Sequence, residues 1–226
     1  MNPLKYIFLL LITIYLISCR SDNDAVINPN LNHNYAGLAV GNFVIYNVDS
    51  IVYDDFTASV NTFQFQIKEK IESQLVDLEG DNSFRIERYR KEKDSINWVL
   101  IDVWSSKLVA TNYQKVEENV RFIKLVFPIR ANKTWNGNIK NNLGEQQYQF
   151  TSIHQPEVVG GFALDSVSTV LQAEDINLIS ENLFEEKFAT NIGMVYKREL
   201  SRKRNSLSDP WLGKDVTMTL VAYGKE

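Results

Sequence analysis

Thr62-Phe63-Gln64-Phe65-Gln66-Ile67-Lys68 alternates polar and apolar residues without a break. Successive side chains on a strand point to opposite faces, so a period of two marks a half-buried strand. The same rhythm returns near the C-terminus, where Val216, Met218, Leu220 and Ala222 alternate with Thr217 and Thr219. It also appears where Met194 and Tyr196 alternate with Val195 and Lys197. Working outward, further strands are expected at residues 43–53, 84–91, 98–104, 120–127, 146–154 and 162–172. Turn-forming clusters separate them: Glu79-Gly80-Asp81-Asn82, Asn136-Gly137-Asn138, Asn141-Asn142-Leu143-Gly144 and Asn191-Ile192-Gly193. Residues 175–188 place Ile176, Ile179 and Leu183 at helical spacing, but the extended reading is preferred there. The expected fold is all-β. It is an antiparallel meander forming a curved sheet, half-barrel or barrel, with at most one or two short helices.

A different kind of segment precedes the strands. Residues 6–17 are almost wholly apolar, Lys5 stands before them, and Leu16-Ile17-Ser18-Cys19 closes the run. Its length suits a signal-peptide core and is short for a bilayer span. The pattern resembles a bacterial lipoprotein signal, whose cysteine thiol receives a diacylglycerol and becomes the mature N-terminus. An uncleaved anchor helix or an ordinary secretory signal has no need of Cys19 at this place. Lipidation contributes roughly 0.8 kcal/mol of membrane affinity per buried CH₂, so acyl chains on one cysteine anchor a protein without a transmembrane helix. Ser21-Asp22-Asn23-Asp24 resembles the acidic surface-export tract of Bacteroidota lipoproteins. The expected location is the outer membrane, lipid-anchored, with the cell surface favoured over the periplasmic face. The expected organisation is a signal peptide over residues 1–18, a flexible tether over 19–34 and a single β-rich domain over 35–226.

Composition excludes several function classes. The chain of 226 residues carries a net charge of −4, so it offers no basic footprint for nucleic acid. Cys19 is the only cysteine. Once acylated, it leaves no thiol for a disulfide, a nucleophile, a zinc site or an iron–sulfur cluster. No cofactor and no metal are expected. There are two histidines, His33 in the tether and His154 at a strand end, and no Gly-x-Ser-x-Gly elbow accompanies them. Asp77-Leu78-Glu79-Gly80-Asp81-Asn82 has the look of a calcium loop but lacks glycine at its sixth position. Arg88 also stands where a bidentate Glu would close such a site, so a hairpin turn is expected.

Carboxylates occur in neighbouring pairs at Asp54-Asp55, Glu117-Glu118 and Glu185-Glu186. Neighbours on a strand face opposite ways, so no such pair is a catalytic dyad by itself. Glycoside hydrolysis needs two carboxyl groups about 5–9.5 Å apart across a cleft. A glycan-acting hydrolase using carboxylates from separate strands is therefore the alternative to a non-catalytic protein.

Aromatics are the richer source of candidate contacts. Trp98, Trp104, Trp135 and Trp211 have the chemistry to stack on sugar rings or to line an apolar cavity. Trp98 and Trp104 share parity on one expected strand, and Trp211 falls in a loop with Pro210 and Gly213. Lys197-Arg198 and Arg202-Lys203-Arg204 form a basic run suited to a solvated hairpin or to lipid headgroup phosphates. Ser50, Ser95 and Ser166 sit in Asp-Ser-apolar triplets resembling the Bacteroidota O-glycosylation sequon, which requires exposure.

Longer phrases carry a family resemblance. They are Gly41-Asn42-Phe43-Val44-Ile45-Tyr46-Asn47-Val48-Asp49-Ser50-Ile51, Glu117-Glu118-Asn119 with Phe122-Ile123-Lys124-Leu125 and Phe127-Pro128, Trp135-Asn136-Gly137-Asn138, and Glu186-Lys187-Phe188-Ala189-Thr190-Asn191-Ile192-Gly193-Met194-Val195-Tyr196-Lys197. Together they are similar to an uncharacterised family of Bacteroidota lipoproteins with a β-rich domain. Val44 stands where that family commonly has Trp. The resemblance brings no activity. The function expected is a membrane-anchored envelope lipoprotein, a non-catalytic binding or structural module with a lipid or glycan ligand.

Overall fold

Twelve antiparallel strands form one sheet that curves into a nearly closed barrel. The computed structural model describes residues 30–54 and 56–226. Cys19, the signal-like segment and Asp55 lie outside the described residues.

The strands are β1 Asn42–Tyr53, β2 Val60–Val76, β3 Asn82–Glu92, β4 Val99–Val109, β5 Asn112–Glu117, β6 Val120–Val126, β7 Thr134–Asn136, β8 Gln147–Val159, β9 Phe162–Ile176, β10 Ser180–Ala189, β11 Gly193–Lys203 and β12 Leu212–Lys225. Their order is β6-β5-β4-β3-β2-β1-β12-β11-β10-β9-β8-β7. Neighbours are consecutive in sequence except at β1–β12, where the first strand pairs with the last. The expected meander is therefore present, with its break between β6 and β7.

That break is partly sealed. Ile123 of β6 donates its backbone N–H to the Gly137 carbonyl at 2.9 Å. The Trp135 indole of β7 donates to the Ile123 carbonyl at 2.9 Å, and the Asn141 amide donates to the Arg121 carbonyl at 2.8 Å. Closing a sheet in this way satisfies the backbone groups an open edge would expose. The sequence between 175 and 188 is extended, as the end of β9, a short turn and β10. No α-helix is present among the described residues. The one helical turn is 3₁₀, His33–Ala36.

Alternation decides what the barrel buries. Val44, Tyr46 and Val48 of β1 point inward, against Ile67 of β2 and Met218 and Leu220 of β12. Asn47 and Asp49 point out. A second cluster gathers Tyr113, Leu125, Phe150, Val170 and Phe188 around Tyr35. Tyr35 is fully buried, and its hydroxyl lies 2.7 Å from His154 Nδ1 and 2.6 Å from Ser166 Oγ. The folded unit accordingly begins at Leu31 rather than at residue 35. Residues 31–34, expected as tether, instead lead into the turn that carries Tyr35: Leu31 packs on the second cluster and His33 Nε2 lies 3.0 Å from the Ala110 carbonyl.

Candidate functional site

The inward parity of β2 carries a charge between two isoleucines. Ile67, Glu69 and Ile71 are all buried, so the Glu69 carboxylate enters the barrel with the core. Directly opposite on β3 is Arg88, and the pair meets at 3.1 Å. Arg88 also reaches Asp102 of β4 at 3.2 Å. On the other side, Glu69 accepts from Lys115 of β5 at 2.7 Å. Lys115 lies 3.7 Å from Glu117, Glu117 lies 3.1 Å from Lys124 of β6, and Lys124 donates to Glu186 of β10 at 2.7 Å. Asp102, Arg88, Glu69, Lys115, Glu117, Lys124 and Glu186 thus form one chain of alternating sign that crosses the interior. It ties β6 to β10 on the far side of the break.

Burial alone penalises each charge, and the partners outweigh it. Desolvation pushes the Glu117 carboxyl up, but Lys124, Lys197 and Lys115 hold it well below the usual carboxylate range. Glu69 is also held low, with Lys115 and Arg88 overcoming its burial. Desolvation opposes the charged Lys124 ammonium, yet Glu117 and Glu186 keep its affinity for the proton above that of an ordinary lysine. Around these charges stand buried tyrosines. Desolvation raises the hydroxyls of Tyr46 and Tyr113 well above the ordinary value, and it pushes Tyr148 up to about 12. The interior therefore carries ionised acids, a protonated lysine and neutral phenols across the physiological range.

A cavity of about 50 Å³ lies against this chain, lined by Tyr46, Glu69, Tyr113, Lys115, Glu117 and Phe188 among others. One water needs roughly 10–15 Å³ in this measure, and an apolar cavity of about 150 Å³ takes a benzene ring. The space suits a few waters and is far smaller than an acyl chain requires. Glu186 is 1% exposed, and its second carboxylate oxygen has no hydrogen-bond partner among the described residues.

The tryptophans are dispersed. Trp104 faces inward, with the Arg88 guanidinium 3.5 Å and the Lys115 ammonium 5.0 Å from its ring centre. Trp135 packs on Tyr148 and Phe150 at the seam. Trp211 is held by Arg202 at 4.6 Å and Arg204 at 4.4 Å, so its rings are engaged within the β11–β12 connection. Trp98 precedes β4 and lies 5.0 Å from the Lys91 ammonium. The shared parity expected of Trp98 and Trp104 fails because a bulge falls between them: Arg88 pairs with Asp102 but Tyr89 with Leu100, leaving Ile101 as the extra residue.

The three serines are all partly buried and differ in their contacts. Ser95 lies in the β3–β4 connection, where its Oγ accepts from the Asn97 N–H at 3.0 Å. Ser166 is engaged by Tyr35, and Ser50 lies within β1 opposite Phe63 and Val216. His154 meets Tyr35 rather than a carboxylate pair. In the acidic hairpin between β2 and β3, the Lys107 ammonium occupies the centre, at 2.9 Å from Asp77, 2.5 Å from Glu79 and 2.6 Å from Asp81. A lysine thus stands where the calcium-like spacing would have placed a cation. Of the basic run, Arg198 pairs with Asp215 and Arg202 with Glu181.

Reasoning from sequence did not single out the interior ion chain. Its signal was nonetheless present, as charges at inward parity: Glu69 between Ile67 and Ile71, Lys115 two residues from Tyr113, and Glu186 two from Phe188.

No family model and no curated protein matches the chain. Two solved structures are similar to it in course. One is a protein from Bacteroides fragilis described as exported, with a YMCC-like fold, at 7% identity and a TM-score of 0.46, covering 83% of this chain and 97% of that one. The other is a domain from Vibrio parahaemolyticus described as an outer membrane lipoprotein-sorting protein domain, at 11% identity and a TM-score of 0.21, covering 82% of this chain and 86% of that one.

Proposed function

We propose that this chain is a membrane-anchored envelope lipoprotein acting as a non-catalytic binding module, acylated at Cys19 and displayed from the outer membrane, in keeping with its resemblance to Bacteroidota lipoproteins. The observation that carries the binding side of this reading is the filled barrel. Apolar side chains such as Val44, Ile71, Ile86 and Met194 line the interior space beside Glu69, Lys115 and Glu117, but at about 50 Å³ it has no room for an acyl chain, so a ligand meets the outer surface and a glycan fits better than a lipid. Two of the interior carboxylates are unsuited to the acid role that the hydrolase alternative needs. A general acid must hold its proton near neutral pH, whereas Glu69 and Glu117 are pushed the other way by their lysines.

The test is metabolic labelling with radioactive palmitate in the native host, beside a Cys19→Ala variant. Label in the wild type and none in the variant is expected. Protease accessibility on intact cells then separates surface from periplasmic display. An unlabelled, freely soluble wild-type protein would overturn the anchor.

A further inference from the structure

On the outward parity of β1 and β2, four polar side chains stand in two directly opposed pairs. Asn47 faces Gln66 and Asp49 faces Gln64. Gln66 Nε2 donates to Asn47 Oδ1 at 2.8 Å, and Gln64 Nε2 donates to Asp49 Oδ1 at 2.8 Å. Lys93 donates to Gln64 Oε1 at 3.0 Å. These contacts fix the orientation of each planar group without exhausting it. The Asn47 amide N–H groups, the Gln66 carbonyl oxygen and the second Asp49 oxygen have no partner among the described residues. They border a surface depression of about 270 Å³.

The charges on this depression balance. Lys91 and Lys93 stand against Asp49 and Glu92, so neither an anionic nor a cationic ligand is selected. The wall sets oriented donors and acceptors beside the apolar surface of Val48 and Phe65, a mixed lining better matched to a sugar than to a wholly apolar chain. Trp98 is not part of the wall; it lies beyond Lys91, whose ammonium is 5.0 Å from its ring centre, and is partly exposed. An oriented set of amide and carboxylate groups beside an indole matches a ligand with vicinal hydroxyls on one side and C–H groups on the other. The volume lies below the roughly 300–1,000 Å³ of drug-sized pockets, so it suits one sugar residue at a time.

We infer that the outer face of β1–β2–β3 is a binding site for a neutral carbohydrate, held by Asn47, Asp49, Gln64 and Gln66 with Trp98 beyond Lys91. This rests on the reading of the chain as a non-catalytic binding module.

The test is native affinity electrophoresis of the full-length, detergent-solubilised protein through gels containing dextran, α-mannan, xylan or β-glucan, with heparin as the anionic control. Retardation by at least one neutral polysaccharide is expected. It should weaken about tenfold or more in N47A/Q66A and in W98A, as the loss of two oriented hydrogen bonds or of a stacking face implies. W211A, in the β11–β12 connection and outside the lining of the depression, should migrate as wild type. Unchanged far-UV circular dichroism and a cooperative urea transition show that each variant is folded. No retardation on any neutral polysaccharide, retardation by heparin alone, or full binding in N47A/Q66A would each overturn the site. Palmitate label in the same preparations keeps the anchor standing if the site fails. Release of reducing ends from a retained polysaccharide would instead overturn the non-catalytic reading.

Discussion

Replacing Lys124 with methionine keeps the length of the side chain and deletes its charge. The Lys124 side chain is 5% exposed, and its partners Glu117 and Glu186 are 13% and 1% exposed. Removing one member of a buried ion pair costs about 3–5 kcal/mol, because the remaining charge is left in a poor solvent. An exposed pair is worth about 0–1 kcal/mol. Glu117 retains Lys115 at 3.7 Å, but Glu186 has no other cation paired with it among the described residues. The variant should therefore lose about 3–5 kcal/mol. At about 2–4 °C per kcal/mol for a domain of this size, the midpoint falls by about 6–20 °C. Thermal and urea unfolding at pH 7, followed by near-UV circular dichroism, would measure it. A triple variant, Lys124→Met with Glu117→Gln and Glu186→Gln, leaves no stranded charge and should recover most of the loss. A loss below about 1 kcal/mol in the single variant would refute the reasoning, since it would make the pair behave as a solvated one.

Other consequences concern pH, the acidic hairpin and a crowded turn. Glu69 and Glu117 have depressed proton affinities in the fold, so their contribution is complete above the unfolded carboxyl range of about 4.3 and is lost as pH falls below it. Tyr148 is raised to about 12, and Lys124 is also raised; their contributions are complete below about 10 and are lost as pH rises beyond it. Urea midpoints should accordingly be level from pH 6 to 9 and fall on both sides, and a midpoint still level at pH 4 would contradict this. Lys107→Met leaves Asp77, Glu79 and Asp81 with ligand oxygens within 4.8 Å of one another and no ammonium among them. Terbium luminescence and calcium-dependent stabilisation should appear in that variant and not in wild type. Gly160 turns with φ +59°, and an added Cβ would come 1.7 Å from the Leu220 carbonyl oxygen. Gly160→Ala should cost more than about 1 kcal/mol in urea unfolding, and a neutral result would show that the β8–β9 turn does not pack on β12 as described.

The fold was legible wherever alternation was apolar inside and polar outside. The stretch from Thr62 to Lys68 and the stretch from Val216 to Ala222 read correctly as strands because Ile67, Met218 and Leu220, which they bury, are hydrocarbon, although Phe63 at the start of the first is half exposed. The all-β meander follows from such segments and the turns between them. β5 was missed because its inward residues include Lys115 and Glu117, which invert the expected pattern. β7 spans only Thr134–Asn136, too short for any period to show. The inward charges of the ion chain were readable singly from strand parity, but not their assembly, since it draws on residues from Glu69 to Glu186 that only the β6–β10 approach brings together. The settings of the tryptophans were hidden for a related reason. Sequence identifies an aromatic but not its stacking partner, and Arg88, Arg202 and Arg204 already occupy the faces of Trp104 and Trp211. The Trp98–Trp104 parity argument was undone by one extra residue in β4.

The most direct test of the central claim is native mass spectrometry of the protein extracted in mild detergent from its own membrane. A chain beginning at an acylated Cys19, with no lipid retained inside the barrel, is expected. A stoichiometric phospholipid or fatty-acid adduct that leaves only when the protein unfolds would contradict it.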